Sequence, residues 1–458
     1  MLIEISYNRP NLSSCAEWNS NGTTVISQAA SMFIDRNNII YTTDWDKTYL
    51  LEWTNGGDSL PRTSSNSSIK IGEFFITTTG DAYVIGDGTI NKVFKWTLVT
   101  NAIQNVAEFC SNFLHIYIFI ASNDMIYYSL SFYNQVVAKS LNRNHSTMIA
   151  LIAGVGIRGS ESYMLHNPAG IFVTTNLDLF VADSSNHRIQ FFRSGEINGE
   201  TIADSLAPYN LRFPQTVVLD GNENIYIADS GNARIVVKTV NGFRCLFGCI
   251  ADNGADSAET KGTLTFDTFG NIYFINSNGD RVQKYSLSSN ICSKYSLSIV
   301  TTMDFLFLDF TNNTEMNRTS TIITSTSTTP VLIESRYTSK LTTNHPTYMK
   351  DCNNPIHYYE SIQIHVFKQG NYKFFINSTV EIYVDLYKND FKPDKPDFNH
   401  FIRLGEYCHV INQIKFIAFL QPTETYELIV ATNSPDSMSS FYVTVNGPSQ
   451  ISSTRKSE

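Results

Sequence analysis

The sequence of 458 residues has no run of about 18 apolar residues, so it contains no candidate for a membrane-spanning helix. Basic residues are few: 33 Lys and Arg stand against 42 Asp and Glu, and the formal net charge is −9. No basic cluster precedes the last few residues. Because nucleic-acid binding takes most of its affinity from clustered Lys and Arg, we expect no nucleic-acid partner.

The motifs of several enzyme classes are also missing. The nine histidines form no His-Glu-x-x-His pattern, and the chain has no Gly-x-Ser-x-Gly elbow. The sequence lacks the Cys and His clusters of RING and B-box domains as well. We therefore predict no catalytic residue, no cofactor and no metal site.

What the sequence does contain is an internal repeat. Residues 165–192 recur almost residue for residue as residues 211–238. Each copy has a Pro, a short apolar run, a polar turn, a second run that ends in Ala-Asp, a Ser/Asn turn, and an alternating strand opened by Arg. This pattern predicts three short antiparallel strands joined by tight turns, a unit that must stack on copies of itself to bury both faces.

The position of Arg188 and Arg234 recurs at Tyr49, Lys92, Gln135 and Arg281, at spacings of 43, 43, 53, 46 and 47 residues. Periods of this size with about four strands each predict a six-bladed β-propeller over residues 23–292. A helical repeat is disfavoured because the runs are short, β-branched and aromatic. Residues 1–22 would be a lead-in, and Thr23–Ile26 would close the ring beside Val282–Leu287.

The segments Pro-Ala-Gly-Ile at 168–171, Val-Ala-Asp-Ser-Ser-Asn-His-Arg-Ile-Gln at 181–190 and Ile-Ala-Asp-Ser-Gly-Asn-Ala-Arg-Ile at 227–235 resemble NHL repeats. With Cys15–Trp18, Gly242–Cys249 and the C-terminal region, the chain is similar to the extracellular NHL-repeat proteins of small aquatic invertebrates such as rotifers. The resemblance implies a six-bladed propeller that serves mainly as a binding platform, although a few relatives are enzymes.

Two further regions follow the repeats. Residues 311–347 are rich in Ser, Thr and Asn, which is typical of a glycosylated stalk or of a plain flexible linker. Residues 349–449 return to alternating strands and predict a β-sandwich, followed by a tail over residues 450–458. The sandwich resembles the small domains appended to secreted bacterial peptidases, but Gly405–Cys408 stands where those domains carry an acidic turn, which argues against a calcium site there. The predicted fold is all-β throughout.

Seven cysteines suit an oxidising compartment. Cys245 and Cys249 are predicted to form a local disulfide, with zinc binding as the alternative. Cys352 and Cys408 are the only pair in the sandwich and would bridge each other. Cys15 and Cys292 flank the predicted closure of the ring and should form a disulfide, unless both thiols are free in flexible tails. Cys110 is expected to remain a buried free thiol.

Seven Asn-x-Ser/Thr sequons add to the case for secretion. The first five residues, Met-Leu-Ile-Glu-Ile, lack the features of a signal peptide, which a mature or truncated sequence would explain. The predicted glycosylation sites are Asn11, Asn21, Asn66, Asn144, Asn312, Asn317 and Asn377.

The acidic and basic residues that recur with the repeat have a structural interpretation. Asp183 and Asp229 end one strand, while Arg188, Arg234 and Arg281 open the next. Recurrence predicts that they hold adjacent strands or blades in register. Asp220–Asn224 resembles a calcium loop in composition, but it coincides with the polar turn of the repeat, where Asp, Gly and Asn are favoured by positive φ.

The histidines argue weakly for a catalytic channel. Some NHL-type lyases hold a metal there with converging histidines, and His166 precedes an inner strand, while His187 lies in an outer turn. The propeller region has only two others, His115 and His145, and the four are spread over two blades. A metal site is therefore not predicted.

These observations predict an extracellular or cell-surface, non-enzymatic scaffold that binds a protein or glycan at the channel mouth or blade faces. The alternative is a propeller enzyme of the lyase or lactonase type with its site at the channel. A second alternative, an intracellular NHL protein of the ubiquitin-ligase type, is disfavoured by the missing RING and B-box clusters and by the acidic charge.

Overall fold

The structure is a computed structural model that describes residues 7–44, 49–54, 60–65, 70–87, 91–109, 116–141, 148–249, 260–276, 281–292, 332–342, 344–348, 357–380, 382–392, 400–403, 413–432 and 439–456. The regular structure in these ranges is β, apart from two single 3₁₀ turns at Ser184–Asn186 and Ser230–Asn232. The predicted sites that lie outside the described residues are Cys110, Cys352, Cys408, Asn66, Asn144, Asn312, Asn317, His115 and His145.

Residues 23–285 form six antiparallel units of four strands, which we call blades 1 to 6; five are separate sheets, and the third is one half of an eight-stranded sheet. The strands of blades 1 to 3 are β3 (Ala29–Ile34), β4 (Ile40–Asp44), β5 (Tyr49–Trp53), β6 (Arg62–Ser65), β7 (Lys70–Ile76), β8 (Asp81–Asp87), β9 (Asn91–Thr97), β10 (Ala102–Phe109), β11 (Ile116–Ile120), β12 (Met125–Leu130), β13 (Gln135–Ser140) and β14 (Met148–Ala153). Those of blades 4 to 6 are β15 (Pro168–Val173), β16 (Leu179–Asp183), β17 (Arg188–Phe192), β18 (Glu200–Ala203), β19 (Pro214–Leu219), β20 (Ile225–Asp229), β21 (Arg234–Thr239), β22 (Gly242–Phe247), β23 (Thr260–Phe266), β24 (Ile272–Asn276), β25 (Arg281–Tyr285) and the N-terminal β2 (Thr23–Ile26).

The first strand of each blade is its inner strand. Inner strands contact one another in chain order, and β23 of blade 6 contacts β3 of blade 1, so the sheets form a closed ring: a β-propeller. The predicted closure is confirmed, because β2 pairs antiparallel with β25, with Thr23 opposite Lys284 and Ile26 opposite Val282. A short strand β1 (Glu17–Trp18) also pairs with β26 (Leu287–Ser289), just past the last blade.

The repeat marks the third strand of each blade. Strands β5, β13, β17, β21 and β25 begin at the residue that the spacing picked out, and β9 begins one residue before Lys92. The inner strand of blade 4, Pro168–Val173, is apolar, and every one of its residues is buried. Pro at the first strand position costs no ladder hydrogen bond, which explains its recurrence at Pro168 and Pro214.

The C-terminal region is a β-sandwich. One sheet has the order β33 (Gln413–Leu420), β30 (Gly370–Ser378), β35 (Ser439–Gly447) and β27 (Ile333–Leu341). The other contains β28 (Thr347–Tyr348), β29 (His357–Val366), β34 (Tyr426–Thr432), β31 (Ile382–Lys388), β32 (His400–Arg403) and, paired with β29, β36 (Ile451–Arg455). Strand β33 also pairs in parallel with β14, over Gln413–Lys415 and Met148–Ala150, so one sheet of the sandwich continues blade 3.

Three predicted boundaries are wrong. Ile333–Leu341, assigned to the linker, pairs along its whole length with β35. Ile451–Arg455, assigned to the tail, pairs with β29. Both segments are mostly polar edge strands, and their partners, not their own composition, make them strands. The lead-in is also part of the propeller, since Leu12 and Ala16 are buried in its core. In the described ranges no helix has the length and apolar character needed to cross a membrane.

Candidate functional site

The inner strands line the central channel of the propeller. Side chains alternate across a strand, so residues two apart face the same way. One residue near the end of each inner strand lines the channel, and together these residues form a ring that we call the aromatic ring. It consists of Phe33, Phe75, Phe119, Phe172, Val218 and Thr265. Two residues earlier lies the polar ring, which consists of Ser31, Glu73, Tyr117, Gly170, Thr216 and Thr263.

The aromatic ring forms a continuous wall across blades 1 to 4. Ring centroids of Phe33 and Phe75 are 4.9 Å apart, those of Phe75 and Phe119 are 5.6 Å apart, and those of Phe119 and Phe172 are 5.3 Å apart. The planes are tilted or edge-on, the geometry in which aromatic rings attract each other. The wall is therefore packed against itself from blade to blade.

Tyr7 closes one end of the channel. Its ring centroid lies 5.0 Å from that of Phe119 and 5.4 Å from that of Phe172, and its hydroxyl donates to the Val173 carbonyl over 3.3 Å. Burial raises the pKa of Tyr7 to about 12, against the opposing effect of nearby arginines. The phenol therefore stays neutral at physiological pH.

The residues after Tyr7 fasten this closure to the turns that follow the inner strands. Asn8 donates through Nδ2 to the carbonyls of Asp35, at 2.8 Å, and Phe266, at 3.0 Å. Arg9 donates through Nε and Nη2 to the Asp220 carbonyl. The segment thus spans turns of blades 1, 5 and 6, so it is anchored across the ring.

The polar ring carries hydrogen bonds between blades, from blade 1 to blade 2 and from blade 3 to blade 5. Ser31 donates to Glu73 Oε2 over 3.1 Å, and Tyr117 donates through its hydroxyl to Gln215 Oε1 over 3.0 Å. Burial, and after it the negative charge of Glu73, raises the pKa of Tyr117 above its ordinary value. The Tyr117 hydroxyl therefore remains a hydrogen-bond donor at neutral pH.

Together these groups enclose a cavity of about 130 Å³. Its floor and wall are mainly aromatic, and Glu73 is the one formally charged side chain among the described residues that line it. Such a site can hold a small apolar group and place it near a carboxylate. Its lining does not include His166 or His187.

The predicted structural carboxylates are buried at a different place, inside blades 4 and 5. Asp183 is fully buried and accepts hydrogen bonds from the His166 backbone N–H at 2.7 Å, from Asn186 Nδ2 at 2.8 Å and from Arg188 Nε at 2.7 Å. Burial raises the pKa of the Asp183 carboxyl, although the bonds from Asn186, His166 and Arg188 act in the opposite direction. The carboxylate is therefore held by donors that saturate it rather than exposed to a ligand.

Arg188 extends the same network to the loop before β15. Its Nη1 donates to the Ser160 carbonyl at 2.7 Å, and its Nη2 donates to the carbonyls of Glu161 at 3.1 Å and Met164 at 3.0 Å. The pair thus ties the loop that leads into the blade to the third strand of that blade.

Blade 5 repeats this arrangement. Asp229 accepts from Asn232 Nδ2 at 2.8 Å and from Arg234 Nε at 2.7 Å, and Arg234 donates to the carbonyls of Tyr209 and Asn210 in the loop before β19. In blade 6, Arg281 opens β25 opposite Asn276 instead of an Asp, and it is exposed. At the position opposite the Arg, the sixth copy therefore has Asn in place of Asp.

The Asp220–Asn224 segment forms a turn. Asp220 Oδ1 accepts the backbone N–H groups of Asn222 and Asn224, and Oδ2 accepts Asn224 Nδ2 and the Tyr226 hydroxyl. All of these donors belong to the protein, as in an Asx turn. Across the ranges that the structure describes, no group of three or more His, Cys, Asp or Glu residues has metal-binding geometry.

Four of the predicted disulfide cysteines are described. The structure joins Cys15 to Cys292, with Cα atoms 5.0 Å apart, and Cys245 to Cys249, with Cα atoms 5.7 Å apart. The first bridge links the N-terminal segment to the chain just past the last blade, so it lies at the closure of the ring.

Three of the predicted glycosylation sites are described. Asn11 and Asn21 are exposed. Asn377 lies inside strand β30, and its Nδ2, the atom that would carry a glycan, donates to the Tyr442 hydroxyl at 2.8 Å. Asn11 and Asn21 are thus open to modification, whereas Asn377 is held within a sheet.

The residues that build the channel were not predicted from the sequence. Glu73 and Tyr117 belong to blades whose repeats are degenerate, and Tyr7 lies in a segment that was assigned no role. A signal did exist: aligning the six inner strands at their last apolar residue brings the five aromatic and aliphatic members Phe33, Phe75, Phe119, Phe172 and Val218 into one column.

Comparison with known proteins supports the repeat. Residues 165–192 match the NHL repeat family model. No curated protein matches the chain.

Solved structures with a similar fold include a catalytically inactive virginiamycin B lyase from Staphylococcus aureus, at 14% identity and a TM-score of 0.44, covering 59% of this chain and 100% of that one. Another is a gluconolactonase from Xanthomonas campestris, at 11% identity and a TM-score of 0.43, covering 63% of this chain and 100% of that one. A third is a protein of unknown function from Bacteroides thetaiotaomicron, at 13% identity and a TM-score of 0.44, covering 62% and 76%. Likeness at this level assigns no activity to the chain.

The matched segment spans β15, β16 and β17, the three strands that the repeat predicted. The resemblance to NHL repeats stated from the sequence is therefore confirmed for residues 165–192: the chain contains an NHL repeat within a β-propeller fold.

Proposed function

We propose that this protein is an extracellular, non-enzymatic binding protein whose ligand, a protein or a glycan, contacts the mouth of the propeller channel. One observation carries the proposal. The channel is closed by Tyr7 at one end and presents a polar ring above an aromatic floor at the other. A concave, mainly apolar site with a few placed polar groups is the usual form of a ligand site.

Two features support an extracellular setting. The disulfides Cys15–Cys292 and Cys245–Cys249 would persist in an oxidising compartment and not in the cytosol. The sequons at Asn11 and Asn21 are exposed, as glycan acceptors must be.

Binding fits the channel better than catalysis does. General acid–base catalysis needs a group with a pKa near the working pH and in reach of the reacting proton. The pKa of Tyr117 is instead raised, and its hydroxyl is engaged with Gln215. The described residues that line the cavity include one carboxylate and no histidine.

In the test, an array of purified secreted protein domains and glycans is probed with the wild-type full chain and with two variants of it. Thr216→Trp places a large side chain in the polar ring, because Thr216 lines the cavity. Thr63→Trp is the matched control, because Thr63 is exposed on the outer strand β6. Circular dichroism confirms that both variants fold.

The proposal expects at least one ligand that binds the wild-type chain and the Thr63→Trp variant but not the Thr216→Trp variant. Ligands that bind all three forms equally would place recognition away from the channel. Turnover of an arrayed glycan or peptide would favour the enzyme alternative.

A further inference from the structure

We infer that the channel mouth binds a sugar ring of a glycan, and that this sugar packs on the side chain of Phe213. The inference rests on the proposed function and deepens it, because it chooses the glycan over the protein and names a residue that would contact it. Phe213 directly precedes the inner strand of blade 5, and Thr216 of that strand lines the cavity. Phe213 therefore lies at the open mouth of the channel.

The backbone of Phe213 has a conformation that suits its side chain poorly. Its φ is 45°, in the left-handed region, where the Cβ atom is crowded and a bulky residue is a true outlier. The equivalent residue of blade 4 is Asn167, which precedes Pro168 and has a φ of 48°. Asn tolerates this region. Blade 5 thus carries Phe at a position where Asn would be less strained.

The backbone at this position makes the same contact in both blades. The N–H of Asn167 donates to Asn134 Oδ1 at 3.1 Å, and the N–H of Phe213 donates to His187 Nδ1 at 3.1 Å. In each case the acceptor lies in the turn between the second and third strands of the preceding blade. This bond uses only the main chain of Phe213, so it does not explain the aromatic side chain.

Burial does not explain the side chain either. Phe213 is 42% exposed, and its ring meets His187 edge-on, with the centroids 4.3 Å apart. Backbone strain that the fold does not require is typical of functional sites. An exposed aromatic ring in a strained conformation at the channel mouth therefore points to a ligand that packs on it.

The polar groups beside Phe213 are of the kind that bind hydroxyls. Because His187 Nδ1 accepts the Phe213 N–H, the proton of the imidazole is assigned to Nε2, which has no acceptor among the described residues. Asn167 donates through Nδ2 to Ser185 Oγ at 3.0 Å, and in the same part of the chain its Oδ1 has no donor. A hydroxyl both donates and accepts, so it can use either atom.

These groups are continuous with the polar ring of the channel. Gln215 donates through Nε2 to Ser184 Oγ at 3.0 Å, in the same turn of blade 4 as His187. Its Oε1 accepts from the hydroxyl of Tyr117, a member of the polar ring, at 3.0 Å. A sugar on Phe213 would therefore lie beside the entrance to the cavity, and the next sugar of a chain could enter it.

This combination fits a pyranose ring better than a protein surface. A pyranose has an apolar C–H face, which packs on an aromatic ring, and an edge of hydroxyls. Next to Phe213 and His187, the side chains of Arg212, Asn167 and Ser185 are polar and exposed or half-buried. A stable protein interface needs a wider apolar core, since it buries about 800 Å² on each partner.

The test measures binding of the full chain to an array of oligosaccharides that present neutral and acidic sugars at their ends. Three variants are compared with the wild type: Phe213→Tyr, which keeps the ring, Phe213→Asn, which introduces the residue type of blade 4, and the control Phe269→Asn. Phe269 is 72% exposed but lies on the closed side, in the turn after the inner strand of blade 6. Urea denaturation measures the stability of each form.

The inference expects at least one oligosaccharide to bind the wild type, Phe213→Tyr and Phe269→Asn with similar affinity. The same oligosaccharide should bind Phe213→Asn about tenfold more weakly, because a factor of ten corresponds to about 1.4 kcal/mol, the size of a good aromatic contact. Phe213→Asn should unfold at the same urea concentration as the wild type or at a higher one, because Asn relieves the left-handed strain.

Equal binding of every oligosaccharide by Phe213→Asn and the wild type would overturn the inference, and so would a clear loss of stability in Phe213→Asn, since the ring would then serve the fold. If no oligosaccharide binds while a protein ligand is lost in Thr216→Trp, the partner is a protein: the inference fails and the proposed function stands. If no ligand of either kind responds to Thr216→Trp, the proposed function fails as well.

Discussion

Asp183→Asn is the sharpest test of how the repeat holds the propeller together. The substitution keeps the size of the side chain but replaces one acceptor oxygen with an NH₂ group. Asp183 Oδ2 accepts from both Asn186 and Arg188, and Oδ1 accepts from the His166 N–H. In either orientation, the NH₂ group of the new amide therefore points at a group that is itself a hydrogen-bond donor.

The expected cost follows from burial. Asp183 is fully buried and the Arg188 side chain is 10% exposed, so the arginine charge cannot recover its lost partner from water. Removing one member of a buried, hydrogen-bonded pair costs about 3 kcal/mol or more. The charge attraction alone contributes less than this figure, because burial of Asp183 raises its pKa and so opposes ionisation.

Urea denaturation followed by tryptophan fluorescence reports unfolding of the propeller, because all four tryptophans lie between residues 18 and 96. Arg281→Met is the matched control: it removes the same repeat position in blade 6, where Arg281 is exposed and stands opposite Asn276. Exposed substitutions of this kind change the free energy of unfolding by about 0.5 kcal/mol or less.

The reasoning predicts a clear loss of stability for Asp183→Asn and almost none for Arg281→Met. A change below about 1 kcal/mol for Asp183→Asn, or an equal loss for both variants, would show that the Asp–Arg pair does not hold the blade.

Three further predictions concern other parts of the chain. Gly170→Ala should lower propeller stability by about 1 to 3 kcal/mol in the same assay, since the new Cβ would lie 2.6 Å from the backbone oxygen of the next inner strand; wild-type stability would contradict this. Non-reducing peptide mapping should find Cys15 linked to Cys292, and Cys292→Ser should cost up to about 5 kcal/mol, because the bridge closes a loop of 277 residues; a stable variant would count against it. N-glycosidase treatment of secreted protein should shift its mass, with peptide analysis finding glycan on Asn11 and none on Asn377, whose Nδ2 is bonded in a sheet; an unshifted band would argue against secretion.

The strands of the propeller could be predicted from the sequence because neighbouring residues determine each strand and turn. Alternation and turn residues repeat every 43 to 53 residues, and the third strand of each blade begins at or next to the position that Arg188 marks. The closing strand Thr23–Ile26 was also predictable, because an unpaired blade edge needs a partner.

The channel could not be predicted from the sequence because it depends on contacts between residues that are far apart in the sequence. Tyr7 lies against Phe172, 165 positions away, and no spacing in the sequence relates the two. The same limit explains Ile333–Leu341, which has a polar composition and becomes a strand by pairing with β35, about 100 residues later. Local sequence pattern thus predicts the blades, whereas the residues that line the channel come together only when the ring of blades closes.

Photocrosslinking tests the central claim, that the ligand is bound at the channel, most directly. A benzophenone side chain is placed at position 216 in the polar ring or, for comparison, at position 63 on the outer strand β6, and the strongest array ligand is added before irradiation. The account predicts a covalent ligand adduct from position 216 and none from position 63. An adduct from position 63 with none from position 216 would contradict it.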